Sequence, residues 1–235
     1  MKTINIGLLG LGTVGGGTLN VLVRNAGEIS RRTGMDIRVR CAAAKSYDAA
    51  ALDGLDSVVI HDDAGKVLSD PDVHIVVELI GGYSPAREFV LEAIDNGKHV
   101  VTANKALLAD HGTELAVLAE KNGVALAFEA AVAGGIPVIK AMREALIGNE
   151  VTRVYGILNG TCNYILTAMV RAGQSYSEAL ERAQKHGLAE AGVAGLVPPV
   201  DLGLEAARLD GRNGLHVAVI GKFVLGGAAD VVTFG

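Results

Sequence analysis

Tryptophan is absent from these 235 residues, and only four phenylalanines and five tyrosines are present. With half the residues apolar and few of them aromatic, the core must rest on Ala, Val, Leu and Gly, which suits close helix-on-sheet packing in an α/β protein. The two cysteines, Cys41 and Cys162, lie far apart without metal-ligand spacing. That excludes a disulfide framework and fits reduced thiols in a cytoplasmic protein. None of the six histidines falls at transition-metal spacing, so no zinc or iron site is expected. Positive charge is also short, with 21 Lys and Arg against 26 Asp and Glu and a net charge of −5. Neither nucleic acid nor an anionic membrane surface is therefore an expected partner. No apolar run reaches the length of a membrane span, and Met1 leads straight into a strand-like run without a signal-peptide pattern.

What is abundant is glycine, with 31 residues, and its placement carries information. The apolar run Ile4–Leu9 reads as a buried strand, and the periodic segment from Thr13 to about Ile29 reads as a helix. Between them stands Gly10-Leu-Gly12-Thr13-Val14-Gly15. In this strand–turn–helix context the three glycines serve a tight turn, the approach of a pyrophosphate and close helix packing. The helix start offers unpaired N–H groups to the phosphates. A second strand is expected over Asp36–Ala44, and its end reads the adenosine ribose in a dinucleotide fold. Lys45 follows there with no carboxylate before Asp48, which favours NADP over NAD.

Further strands are expected over Val58–Ile60, His74–Ile80, His99–Val101 and Val124–Phe128. Helices are expected over Ala64–Leu68, from Ser84-Pro85 to Asn96, and over Ala106–Lys121. Six strands alternating with helices give a doubly wound parallel sheet. Its ligand crevice lies among the loops at the carboxyl ends of the strands: 10–15, 80–82, 102–105 and 129–136. Beyond Ile136 a helix is expected over Pro137–Ile147, a strand over Val151–Leu158 and a helix over Thr161–Ala172. Ser175 to Glu178 then reads as a capping box opening a helix to His186. The alternation predicts a nucleotide domain over 1–130, and the pattern changes from about Ile136.

Five motifs stand in order: Gly7-Leu-Leu-Gly10-Leu-Gly12-Thr-Val-Gly15, Glu78-Leu-Ile-Gly-Gly82, Thr102-Ala-Asn-Lys105, Glu129-Ala-Ala-Val-Ala-Gly-Gly-Ile-Pro137 and Gly156-Ile-Leu-Asn159-Gly-Thr161-Cys-Asn-Tyr-Ile165. Over residues 3–191 the chain resembles homoserine dehydrogenase, which links L-homoserine and aspartate 4-semialdehyde in threonine, methionine and isoleucine biosynthesis. The resemblance implies a Rossmann-like nucleotide domain over 1–130, a smaller, incomplete α+β substrate domain over 131–235 and a homodimer. Gly10, Gly12, Thr13, Val14, Gly15, Lys45, Ile80, Gly81, Ala103, Lys105 and Gly187 would hold the cofactor. Lys105 and Glu190 would be catalytic, and Glu190, Asp201 and Thr161 would bind the small-molecule substrate. Glu129, Val132, Gly134 and Ile136 would hold a sodium ion, an oxygen-ligand set suited to a hard cation.

After Ala191 the family pattern breaks. The family's Asp-Pro is missing, and the segment Gly203-Leu-Glu-Ala-Ala-Arg208 is followed by Leu209 where a second lysine is expected. Aligning through Asp210-Gly-Arg-Asn213 puts Val217 there instead, and Lys222 is the only lysine after residue 185. The pattern reads as a fragment or an altered C-terminal part. Two alternatives to the full activity stand beside it: a non-catalytic dinucleotide-binding remnant, and another amino-acid dehydrogenase or reductase sharing the nucleotide domain.

Overall fold

The computed structural model describes residues 1–82, 84–150, 160–186, 222–224 and 231–233. Alternation of short apolar runs with helical stretches produces β1 (Lys2–Leu9), α1 (Thr13–Arg24), α2 (Ala26–Thr33), β2 (Met35–Ala43), β3 (Val59–His61) and α3 (Ala64–Leu68). There follow β4 (Ile75–Glu78), α4 (Ala86–Asp95), β5 (His99–Thr102), α5 (Lys105–Lys121) and β6 (Leu126–Ala127). All six strands are parallel, in the order β3-β2-β1-β4-β5-β6. This is the doubly wound arrangement in which strand order reverses between β1 and β4, opening a crevice at their carboxyl ends.

Both faces of the sheet are covered. Leu9, Val76 and Val100 pack with Val67, Val90, Ile94, Leu107 and Leu115 on one side. Ile6, Leu8, Val39 and Val77 pack with Leu11, Leu19 and Val58 on the other. Strand alternation thus sends Leu8 and Leu9, and Val76 and Val77, to opposite cores. The pairing of β1 with β2 shifts register at Ile6/Gly7, where Val39 is followed as partner by Cys41. Skipping Arg40 reverses the parity of the strand, so Val39 and Ala42 face one core and Cys41 and Ala43 the other. Arg40 itself bonds Asp70 and Asp72, each at 2.8 Å, and holds the Asp70 carboxyl below its ordinary pKa. Burial pushes the Cys41 thiol up to about 11, so it stays a neutral packing group.

The single helix expected from Thr13 to Ile29 is two. Asn25, at φ −102° and ψ 12°, leaves the helical region, donating its N–H to Val21 O while its own carbonyl accepts from Ile29. Apolar periodicity ends there too, and α2 buries no residue; its polar face is tied by Glu28 to Arg31 and Arg32. The helix expected over Pro137–Ile147 is also shorter. One α-helical turn, α6 (Val138–Lys140), passes into a wider π-type turn over Ala141–Ala145.

The chain divides into two units, of which Met1–Arg143 belongs to the first. In the second, α7 (Gly160–Ala172) and α8 (Tyr176–Lys185) pack around Ile165, Ala179 and Ala183. The capping box is present. Ser175 Oγ accepts from the Glu178 N–H, and the Glu178 carboxylate accepts from the Ser175 N–H at 2.8 Å. Two further short strands, β7 (Lys222–Val224) and β8 (Val231–Thr233), pair with each other. The strand expected over 151–158 lies outside the described residues. No helix among the described residues is long and apolar enough to cross a membrane.

Below the sheet, Lys98 is only 5% exposed, and its ammonium donates to the Asp70 carbonyl at 2.6 Å and the Val73 carbonyl at 2.9 Å. Desolvation lowers its pKa, opposed by the charge of Asp70. Lys98→Met keeps the stem but removes both bonds, and is expected to cost about 2 kcal/mol, read from the urea midpoint. An unmoved midpoint would show that the two carbonyls find other donors.

Candidate functional site

The candidate site is assembled where β1, β4, β5 and β6 end. Leu9 closes β1 in the buried core, and Gly10 turns the chain at φ +96°, its N–H donating to Ala43 O at the end of β2. Gly12 is the N-cap of α1 without a side-chain cap, and no acid occupies the first turn. The helix therefore presents uncapped N–H groups and the positive end of its dipole, the arrangement that receives phosphate. Thr13 and Val14 are exposed on this turn. A Cβ at Gly12 would meet nothing within 4 Å, whereas one at Gly15 would lie 2.0 Å from the Gly10 carbonyl oxygen. The two positions have different jobs: Gly15 closes the helix onto the turn, and Gly12 leaves open the side from which a ligand arrives.

Lys45 is exposed two residues beyond the end of β2. The nearest following carboxylate, Asp48, accepts from the Ala50 N–H and caps a short 3₁₀ turn. Neither Lys45 nor Lys105 forms an ion pair with a described residue.

Behind the β4 and β5 loops lies a polar cluster that the sequence motifs contained without revealing. Glu78 is fully buried. One carboxylate oxygen accepts from the Ile80 N–H at 2.8 Å and the Gly81 N–H at 3.2 Å, and the other accepts from the Thr102 hydroxyl at 2.6 Å. Thr102 Oγ1 in turn accepts from the Asn104 N–H at 3.0 Å. The Asn104 side chain accepts from the Leu107 N–H, capping α5, and donates to the Gly82 carbonyl at 2.6 Å. Burial makes such a network costly unless each member is paired, and here each is. It ties the turn that carries Ala103 and Lys105, the latter exposed as the first residue of α5, to the Ile80–Gly82 loop. An acid closing an otherwise apolar β-branched strand was the available signal for Glu78.

In the fourth loop, both Glu129 carboxylate oxygens accept backbone N–H groups, from Ile139 and Lys140, at 3.0 Å each. Glu129 thereby satisfies the start of α6. Val132, Gly134 and Ile136 lie in the intervening turn, where Ala133 takes φ 49° and Gly135 φ 88°. The Ile136 carbonyl accepts from Val138 at 2.8 Å. Thr161 lies near the start of α7. Gly187, Glu190 and Asp201 lie outside the described residues.

The family model described as homoserine dehydrogenase, NAD-binding domain, matches residues 10–129, and the homoserine dehydrogenase model matches residues 137–195. A homoserine dehydrogenase of Pseudomonas aeruginosa is 52% identical over 191 residues, covering 81% of this chain and 44% of that protein. One from Bacillus subtilis is 39% identical over 209 residues, covering 88% and 47%. Among solved structures, a homoserine dehydrogenase from Thiobacillus denitrificans aligns at a TM-score of 0.72 with 54% identity, covering 81% of this chain and 44% of that one. A hyperthermophilic archaeal homoserine dehydrogenase in complex with NADPH aligns at 0.62 with 28% identity, covering 81% and 63%. The chain spans less than half the length of the two curated relatives.

Proposed function

Since the chain belongs to the homoserine dehydrogenase family, we propose that it binds a nicotinamide dinucleotide at Gly10–Gly15 and interconverts L-homoserine and aspartate 4-semialdehyde. The observation that carries this reading is the uncapped start of α1, with Gly12 open to solvent, in a segment covered by the family's NAD-binding model. The dinucleotide, when bound, supplies the hydride donor or acceptor. The chain's own part is to seat the pyrophosphate on the α1 N–H groups and to present Lys105 to the reacting oxygen. There an ammonium can hold the substrate, or a neutral amine can take a proton. Glu190 would bind the substrate's ammonium group, a favourable charge pairing, with Thr161 and Asp201 contributing polar contacts. Gly187 would lie against the cofactor. The division into a nucleotide domain over 1–130 and a substrate domain over 131–235, the homodimer and the cytoplasmic location belong to the same reading.

For the sodium ion, Glu129 and the carbonyls of Val132, Gly134 and Ile136 are of the right chemical type, all oxygen and all within one short turn. Each Glu129 oxygen accepts one backbone N–H and retains a further lone pair for a cation. Such an ion would brace the turn.

NADPH oxidation with aspartate 4-semialdehyde, run beside an NADPH-binding titration, tests the reading. Binding with turnover supports it; binding without turnover supports the non-catalytic remnant; no binding overturns both. Lys45 gives a finer check. Lys45→Glu is expected to reverse the preference for NADPH over NADH by about tenfold or more, because a cation facing the 2′-phosphate is replaced by an anion. An unchanged ratio of the two dissociation constants would remove Lys45 from the site.

A further inference from the structure

We propose that Glu78 is a positioning residue: its buried carboxylate joins the Ile80–Gly82 loop and the Thr102–Lys105 turn into one unit on which dinucleotide affinity depends. The inference rests on the dinucleotide reading above and assigns it a residue that touches no ligand. One oxygen of Glu78 holds the Ile80 and Gly81 amides, and the other holds Thr102. Thr102 holds the Asn104 amide, and Asn104 reaches back to the Gly82 carbonyl. The ring of contacts closes on itself. The same loop also abuts the glycine turn, since a Cβ at Gly10 would lie 3.0 Å from Leu79 O and 3.4 Å from Ile80 N. A rise of one loop away from the sheet would leave a buried carboxylate oxygen unpaired, so the two loops cannot move separately without cost.

The role of Thr102 makes the idea testable with little disturbance of packing. Its hydroxyl donates to Glu78 while accepting from Asn104. Thr102→Val keeps the branched shape and removes both bonds; Thr102→Ser keeps the hydroxyl. Glu78→Gln keeps the shape and reverses one bond, because an amide nitrogen must donate to Thr102, whose own proton then lacks an acceptor.

Two measurements on the full chain decide it. In ligand-free protein, amide hydrogen exchange at Ile80 and Gly81 is expected to accelerate at least about tenfold in Thr102→Val, although neither amide contacts Thr102. In an NADPH fluorescence titration, Thr102→Val and Glu78→Gln are each expected to weaken binding about tenfold. Thr102→Ser should stay within about twofold of the unmodified chain, and the double variant should be little worse than Glu78→Gln alone. A lowered Tm with unchanged NADPH affinity would reduce Glu78 to a structural role and overturn the proposal, as would wild-type exchange at Ile80 and Gly81 in Thr102→Val. Failure of the unmodified chain to bind NADPH would overturn the dinucleotide reading and this proposal with it. Binding that is intact in the unmodified chain and in every variant would overturn this proposal alone.

Discussion

Gly15→Ala is expected to destabilise the first unit by about 3 kcal/mol and to abolish dinucleotide binding in what remains folded. A Cβ at this position falls 2.0 Å from the Gly10 carbonyl oxygen and 2.8 Å from its carbon. Both are backbone atoms, and Gly10 is itself anchored by its N–H to Ala43 O at 2.8 Å. The strain cannot be relieved by a side-chain rotation; α1 must draw back from the turn, carrying Leu19 out of the core that it shares with Leu8 and Val77. Gly12→Val is the matched control. The site is extended, at φ −71° and ψ −161°, without the positive φ that demands glycine, and a Cβ there meets nothing within 4 Å. Its stability should stay within about 0.5 kcal/mol of the parent, while NADPH binding is lost because the side chain fills the approach to the α1 amides. Urea unfolding and the NADPH titration separate the two effects. Loss of stability in Gly12→Val would show that the position is not open, and retained binding there would show that the pyrophosphate does not sit on that side.

The contrast between these glycines marks what the sequence could disclose. Spacing alone announced the turn and the helix start, because strand, glycines and helix are local and each obeys its own period. Six strands were legible for the same reason, Val76 and Val77 going to opposite cores as alternation requires. The break at Asn25 was only faintly marked: apolar periodicity ends there and Gly27 follows two residues on, but the backbone bonds of Val21 and Ile29 pass through Asn25 unbroken. Arg40 is harder still. A register shift depends on pairing with β1 and on the two aspartates near residue 71, neither of them local. Glu78, Thr102 and Asn104 were visible as letters in two motifs 24 residues apart, and only the parallel pairing of Glu78 with Thr102 makes them one cluster. Glu129 read as a cation ligand by resemblance; that it also caps α6 depends on a fold-back of ten residues.

Lys105→Ala is expected to lower turnover by roughly 10²–10⁴-fold. Oxidation of an alcohol removes a hydride from carbon and a proton from oxygen, so a base must meet the hydroxyl as the hydride leaves. The Leu209 and Val217 positions hold no amine, and Lys222 is the only lysine after residue 185. Lys105 stands exposed at the head of α5, just beyond the carboxyl end of β5 and held there by the Asn104 cap. Under the proposed function, the proton transfer is therefore expected to fall to Lys105. Lys105→Arg discriminates the possible roles: a guanidinium keeps the charge that would hold a substrate but does not release its proton near neutral pH. If Lys105 transfers the proton, the arginine variant should be as slow as the alanine variant, and small primary amines should restore part of the rate to Lys105→Ala only. If it merely holds the substrate, arginine should recover most of the rate, and the loss in alanine should fall on KM. Leu209→Lys and Val217→Lys complete the experiment. A rise in kcat of about tenfold or more in either one locates the missing group, and no rise in both, with full dependence on Lys105, shows that a single lysine suffices.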